Sequence, residues 1–207
     1  MPRRLTAFLT ALCLVPLGAS ALQAASAEPA PRSEPVAKAA EPPKAGKERA
    51  YRAVIRQTKH GIPHISGRTF GDIGFGSGYM TVDAAACTLA DTLITARGQR
   101  SLWFGTKERY DDQVELEASN LQVDAFVTDL RNRRVVEKLL ADRKAGPGRQ
   151  ARAMVAGYVA GVNEYLATKQ IKDPECRGAA FMDGIVKVKP IDLWYGVYLA
   201  NLMACLL

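Results

Sequence analysis

The sequence predicts an α+β chain that is mainly helical and opens with a β-hairpin, and three observations carry that reading. Near-alternating apolar and basic residues over Tyr51–Arg56 are followed, after Thr58 to Gly61, by an extended pattern over Ile62–Ser66, in which Pro63 biases Ile62 away from helix and Gly61 supplies a turn. Met154, Val155, Tyr158, Val159, Val162, Tyr165 and Leu166 recur at helical spacing within Arg149–Ala167. Leu193 to Met203 is apolar nearly all round, the pattern of a helix that a soluble protein buries on several sides.

Ahead of the hairpin, Arg3 and Arg4 precede an apolar run from Leu5 to Leu22 and the small residues Ala25-Ser26-Ala27, so residues 1–27 read as a secretory signal peptide and the chain as secreted or periplasmic. Pro16 and Gly18 interrupt the run, which falls short of the ~20 residues of a bilayer span, so no stable membrane span is expected. Thr6 and Ala7 follow the arginine pair where folded export wants bulky apolar residues, which favours unfolded export. Cys13 follows Leu12 rather than a small residue and is assigned to the discarded signal, not to a lipid anchor. Residues 28–49, rich in Pro, Ala, Lys and Glu, cannot bury enough apolar surface to offset chain entropy and read as a disordered linker. Residues 50–207 are then about the size of one ordinary domain. The formal charge of +7 falls to +5 once Arg3 and Arg4 leave with the signal, and only Arg131 to Arg134 cluster, so nucleic acid is not an expected partner.

Within the domain, Thr69 and Asp72 have the spacing of a helix cap. Gly74, Gly76 and Gly78 form G-x-G-x-G, not the dinucleotide fingerprint, and are read as sites of close backbone packing. Asp83 is expected to cap a second helix, Ala84–Arg97, that stops at Gly98. Trp103-Phe104-Gly105 reads as an apolar turn, and Glu108–Glu117 as a charged loop. A helix is expected from Asn120 through Leu121, Phe126, Leu130 and Val135 towards Leu140, with Asp129 and Arg133 paired on its wetter side, until Gly146-Pro147-Gly148 breaks it. Gly157, Ala160 and Gly161 thin one side of the Arg149–Ala167 helix for close contact. Asp192, after Pro190, is placed to cap the last helix.

Few residues invite chemistry. His60 and His64 lie four apart, but Gly61 and Pro63 between them oppose the helix that would make them zinc ligands, so no metal site is expected. In an exported chain, Cys87 and Cys176 read more readily as a disulfide than as a metal site; closing so long a loop stabilises a fold by about 4 kcal/mol in the chain-entropy model. Cys205 is left over. Since the apolar last helix is followed at once by Leu207, the chain is expected to be incomplete as a folding unit, a fragment or a prematurely ended reading frame.

Taken together, these residues resemble the penicillin acylase family. His60-Gly61-Ile62-Pro63-His64-Ile65 within Arg56–Ile65 is similar to the family's opening hairpin. Gly74–Tyr79, Thr95-Ala96-Arg97-Gly98, Phe104-Gly105 and Gly157-Tyr158-Val159-Ala160-Gly161-Val162-Asn163 follow in the family's order, and Cys87 and Cys176 fall at matching places. The resemblance runs from Tyr51 to the end and is strongest to the branch of acyl-homoserine-lactone and aculeacin-type acylases.

It implies a four-layer αββα N-terminal-nucleophile hydrolase in the full-length parent, with this chain contributing flanking helices and the hairpin. Such proteins are exported precursors that cut themselves into a smaller and a larger (beta) chain. The larger chain opens with a serine, cysteine or threonine whose own amino group is the base, and it holds the oxyanion by a backbone amide and an asparagine. This sequence then corresponds to the smaller chain. No catalytic residue is assigned, since Ser66, Ser101 and Ser119 all lie upstream of the expected junction, and the acid that binds calcium in some relatives falls beyond Leu207. The expected partners are the larger chain and a small-molecule acylated amide; the chain itself needs no cofactor. Leu199, Leu202 and Met203 match positions lining the acyl pocket, while Ala204-Cys205-Leu206-Leu207 departs from the relatives' polar continuation. The rival reading is a stand-alone exported, non-catalytic module that binds acyl ligands.

Overall fold

The computed structural model describes residues 50–110 and 118–204, with the side chains of Met203 and Ala204 outside the description. The signal peptide and linker expected over residues 1–49, most of the charged loop and Cys205 therefore lie outside the described residues. The elements run β1 (Ala53–Gln57), β2 (Pro63–Gly67), α1 (Phe70–Arg97), α2 (Arg100–Phe104), α3 (Asn120–Asn132), α4 (Val135–Ala141), α5 (Arg149–Thr168), a 3-10 helix (Ala180–Ile185) and α6 (Pro190–Ala204).

β1 and β2 form the expected antiparallel hairpin, with Ile55 opposite Ile65 and Arg56 opposite His64. Gly61 turns the chain at φ 80°, and its amide donates to the Thr58 carbonyl at 3.0 Å. The inward residues of the hairpin lie on α1 at Gly76, where a Cβ would come within 2.6 Å of Ile65 Cγ2. Thr69 and Asp72 make a full capping box: the Asp72 amide donates to Thr69 Oγ1 at 3.1 Å, and the Thr69 amide donates back to Asp72 Oδ2 at 3.1 Å. The other carboxylate oxygen accepts from the Arg52 amide at 2.9 Å, so one aspartate both starts α1 and ties the hairpin to it.

α1 and α5 form the spine of the molecule. Each helix presents glycines to the other's backbone. A Cβ at Gly78 would meet the Tyr158 carbonyl and one at Gly157 the Gly71 carbonyl, so the seam is closed by main chain against main chain. Val82, Leu89, Leu93 and Ile94 of α1 pack there with Val159, Val162 and Tyr165 of α5 as the principal core. Gly98 ends α1 in the left-handed region at φ 66°, its amide donating to the Thr95 carbonyl at 2.9 Å.

Several boundaries differ from the sequence reading. The expected second helix is present as the later half of α1: two helical segments meet at a kink at Ala85 (φ −150°, ψ 51°), two residues after Asp83, which does not cap it. The Asp83 carboxylate instead accepts from the Tyr165 hydroxyl at 2.9 Å and pairs with the Lys172 ammonium at 2.7 Å, tertiary partners that displace a capping role. The expected turn at Trp103-Phe104 is the short helix α2. The expected Asn120–Leu140 helix breaks in two where Arg134 takes φ 53° and donates its amide to the Arg131 carbonyl at 3.0 Å. Its buried face is Val123, Val127 and Leu130, while Leu121 and Phe126 are exposed. Asp129 and Arg133 do pair, at 2.9 Å. Met154 is 39 % exposed rather than core. α6 is covered on several sides as expected, against α1, α4 and α5, with Tyr195 fully enclosed with Ala96, Leu130 and Val136; along its middle only the stripe of Val197, Ala200 and Asn201 is exposed.

Candidate functional site

The last helix is set in place by its charged N-terminal end. Pro190 occupies its first residue, where a missing amide hydrogen costs nothing. Asp192, 3 % exposed, accepts from the Lys189 amide at 3.1 Å and pairs with Arg97 at 2.9 Å and Arg131 at 3.4 Å. Arg97 also donates to the carbonyls of Gly184 and Lys187, so the residue that ends α1 fixes the loop that starts α6. Arg131 donates to the Ala96 carbonyl at 2.8 Å and stacks 4.5 Å over the Tyr195 ring. The Tyr195 hydroxyl donates to Glu137 at 2.8 Å; burial, reinforced by that carboxylate, pushes the phenol up to about 12.

One helical turn further on, Leu199 and Leu202 face α3 across a cavity of about 150 Å³. Phe126 and Gln122 stand on the α3 side, with Tyr110 and Ala118 beside them, and Thr95, Val123 and Val127 form its deep end. The lining is almost wholly carbon, because the polar groups behind it are engaged. Thr95 Oγ1 donates to the Asp91 carbonyl at 2.8 Å and accepts from Arg100 Nη1 at 2.8 Å. Arg100, itself buried, also donates to Asp91 at 2.6 Å and to Asn120 at 2.8 Å, and its guanidinium lies 4.5 Å from the Tyr110 ring centre. The cavity can therefore hold an apolar group by burial, at about 25 cal/mol per Å2, without stranding a charge.

Catalytic chemistry is a different matter. Among the described residues, Ser101 Oγ is buried without a hydrogen-bond partner, Ser119 Oγ accepts from the Gln122 amide as the cap of α3, and neither imidazole hydrogen-bonds a serine or cysteine. His60 sits in the hairpin turn and His64 on β2, both exposed. Cys87 and Cys176 are joined in a disulfide that links α1 to the loop after α5. The Asp173 carboxylate lies within 4.8 Å of both sulfurs, but the sulfurs are engaged with each other.

Of the three residues matched to an acyl pocket, Leu199 and Leu202 meet in one cavity; Met203 is on the same helix, its side chain outside the described ones. Sequence reasoning missed the facing wall. Val123, Phe126 and Val127 follow i, i+3, i+4 spacing on one helix, a pattern present in the sequence but hidden beneath the competing Leu121, Phe126, Leu130, Val135 pattern. A second, larger concavity of about 560 Å³, lined by Leu166, Met182 and Lys187 among others, contains no residue singled out as a site.

Known proteins bear on this arrangement. The family model described as Penicillin amidase matches residues 52–205. Aculeacin-A acylase of Actinoplanes utahensis is 36% identical over 168 residues, covering 77% of this chain and 20% of that protein. The acyl-homoserine lactone acylase PvdQ of Pseudomonas putida is 33% identical over 118 residues, 57% of this chain and 14% of its own. The chain thus spans about a fifth or less of these relatives' length. A thermostable penicillin G acylase from Alcaligenes faecalis shares the fold at a TM-score of 0.52 and 16% identity, over 72% of this chain and 72% of that one. No helix among the described residues is long and apolar enough to cross a membrane. With the match running from the hairpin through α6, the chain belongs to the penicillin amidase family.

Proposed function

We propose that this chain is the smaller-chain part of an exported amidohydrolase that cleaves the amide bond of an N-acylated substrate, with residues 1–27 as its signal peptide and 28–49 as a linker. Its own role is to hold the acyl group in the cavity between α3 and α6, against Leu199 and Leu202, with Met203 on the same helix as the third residue matched to the pocket. The observation that carries this reading is the coincidence of family membership with a carbon-lined cavity built on the same helix. The relatives' lengths support a two-chain arrangement. The two acylases are about five and about seven times as long as the regions matched, whereas the solved penicillin G acylase chain is of similar length to this one. The nucleophile, its amino-group base and the oxyanion donors belong to the larger chain, in keeping with the serines and histidines among the described residues, none of which forms an activated pair. Any calcium would likewise be held by the larger chain.

The test is to assay release of carboxylic acid from an N-acylated amine by the chain alone and by the chain co-expressed with the larger chain of a relative. Activity only in the second case supports the proposal. Turnover by the isolated chain sinks it, and a soluble monomer that binds acyl groups but gains no activity from any larger chain points to the non-catalytic binding module instead.

A further inference from the structure

We propose that Val127 on α3 is the residue that sets acyl length in this cavity, and that the group accepted has an apolar end of about six carbons, on the scale of the benzene that an apolar cavity of this volume takes; this rests on the acyl-pocket reading above. The burial of the lining gives the cavity a direction. Leu199 and Leu202 are half-buried and Phe126 is 47 % exposed, so they form the mouth, whereas Thr95 is 7 %, Val123 8 % and Val127 1 % exposed. A group entering between Phe126 and Leu202 meets Val127 last.

The floor is rigid and apolar for separate reasons. Val127 stands in the middle of α3, whose start is fixed by the Ser119–Gln122 capping box and whose side is anchored by the Asp124 carboxylate, accepting from the amides of Arg100 at 2.8 Å and Ser101 at 2.6 Å. It cannot recede to admit a longer group. Thr95 contributes no polar atom to a ligand, since its hydroxyl is engaged with the Asp91 carbonyl and Arg100. The cavity's volume of about 150 Å³ is that of an apolar cavity known to take benzene, which sets the scale of the buried end whether it is a tail or a ring.

The experiment is calorimetric titration of the full chain and its Val127 variants with butanoate, hexanoate, octanoate and decanoate, and with phenylacetate as the ring-shaped probe. For the wild-type chain, affinity is expected to rise about fourfold per added methylene as far as hexanoate and then to stop rising. Val127→Ala moves that limit to octanoate, and Val127→Phe moves it to butanoate and excludes phenylacetate. Val127→Ile, the smallest increase in volume, weakens hexanoate while sparing butanoate, and serves if the phenylalanine variant fails to fold. Retained binding with an unmoved length limit in the alanine and isoleucine variants overturns the assignment of Val127 and leaves the acyl site standing. Failure of a folded wild-type chain to bind any of the acids overturns the acyl-site reading and the floor with it.

Discussion

Replacing Gly78 by alanine tests the spine of the molecule. An added Cβ would stand 2.8 Å from the Tyr158 carbonyl carbon, and closer still to its oxygen, whereas carbon atoms pack comfortably at about 3.5–4.0 Å, so α1 and α5 must part by about 1 Å. The obstacle is main chain, which cannot swing aside as a side chain does. Overpacking of this kind costs about 1–3 kcal/mol, and with backbone on both sides the upper end applies; the gain in helix propensity on going from glycine to alanine returns about 1 kcal/mol. A net loss of about 2 kcal/mol lowers the melting temperature by roughly 4–8 °C in a chain of this size. Gly196→Ala in α6 is the matched control. Its Cβ would rest 3.5 Å from Thr92 Cγ2, an ordinary contact, so the propensity gain survives and the melting temperature rises by roughly 2–4 °C. Thermal unfolding of both variants of the full chain, followed by circular dichroism, reads the difference. A Gly78→Ala variant as stable as Gly196→Ala refutes the backbone-to-backbone seam.

Three other outcomes follow from the same structure. Replacing both Cys87 and Cys176 by serine, which opens a loop of 89 residues, is expected to lower stability by about 4–5 kcal/mol in urea unfolding, and added reductant should reproduce the loss in the wild type but not in the variant. Asp192→Ala leaves Arg97 and Arg131 without their shared carboxylate in a largely buried setting and is expected to cost about 3–5 kcal/mol, while Asp129→Ala, which opens an exposed pair, costs less than about 1 kcal/mol. Burial first, then the neighbouring carboxylates Asp83 and Glu137, pushes the phenols of Tyr165 and Tyr195 up to about 12. The folded state therefore keeps protons that the unfolded chain releases near pH 10. The stabilisation is fully present below pH 10 and is lost as pH rises towards 12, so tyrosinate absorbance from these two rings should appear only with unfolding, and Tyr165→Phe should flatten the alkaline limb.

The parts of the fold legible in the sequence are those set by local rules. Gly61 and Pro63 mark the hairpin, Thr69 and Asp72 the start of α1, Gly98 its end, and the spacing of Val155, Val159 and Val162 marks α5. The misreadings share another cause: a local pattern was overruled by a partner distant in sequence. Asp83 looks like a cap but is claimed by Tyr165 and Lys172, some eighty residues on. Leu121 looks like core but is exposed, and Phe126 stands at the mouth of the cavity rather than in the core, because Asp124, on the same helix, is held beneath the amides of Arg100 and Ser101 and turns α3 accordingly. Half of the candidate cavity was visible as Leu199 and Leu202. The other half depended on that rotation of α3, which decides between two competing helical patterns in the same stretch and is set by partners some twenty residues away.

Arg97 shows how these long-range ties place the cavity. At the level of sequence it is an ordinary basic residue in the last turn of a helix, where it complements the dipole. In the fold it gathers the Gly184 and Lys187 carbonyls and the Asp192 carboxylate, while Asn163 of α5 clasps Val188 through both its amide groups, at 2.8 and 2.9 Å. The disulfide fixes the other end of the same loop to α1. The loop between α5 and α6 is thus held at three points along its length. α6 leaves the last of them with its direction set, and Leu199 and Leu202 lie two to three turns further along it. A cavity wall positioned this way depends on the loop's buried tie points, Cys176 and Val188 among them, and not on its exposed residues. Substitutions at exposed loop positions such as Glu175 should therefore leave acid binding unchanged. Asp192→Asn keeps most of the shape and removes the charge, and it is expected to weaken hexanoate binding together with stability. If hexanoate affinity survives in a folded Asp192→Asn chain, α6 takes its position from apolar packing alone, and the charged clasp contributes to stability without placing the site.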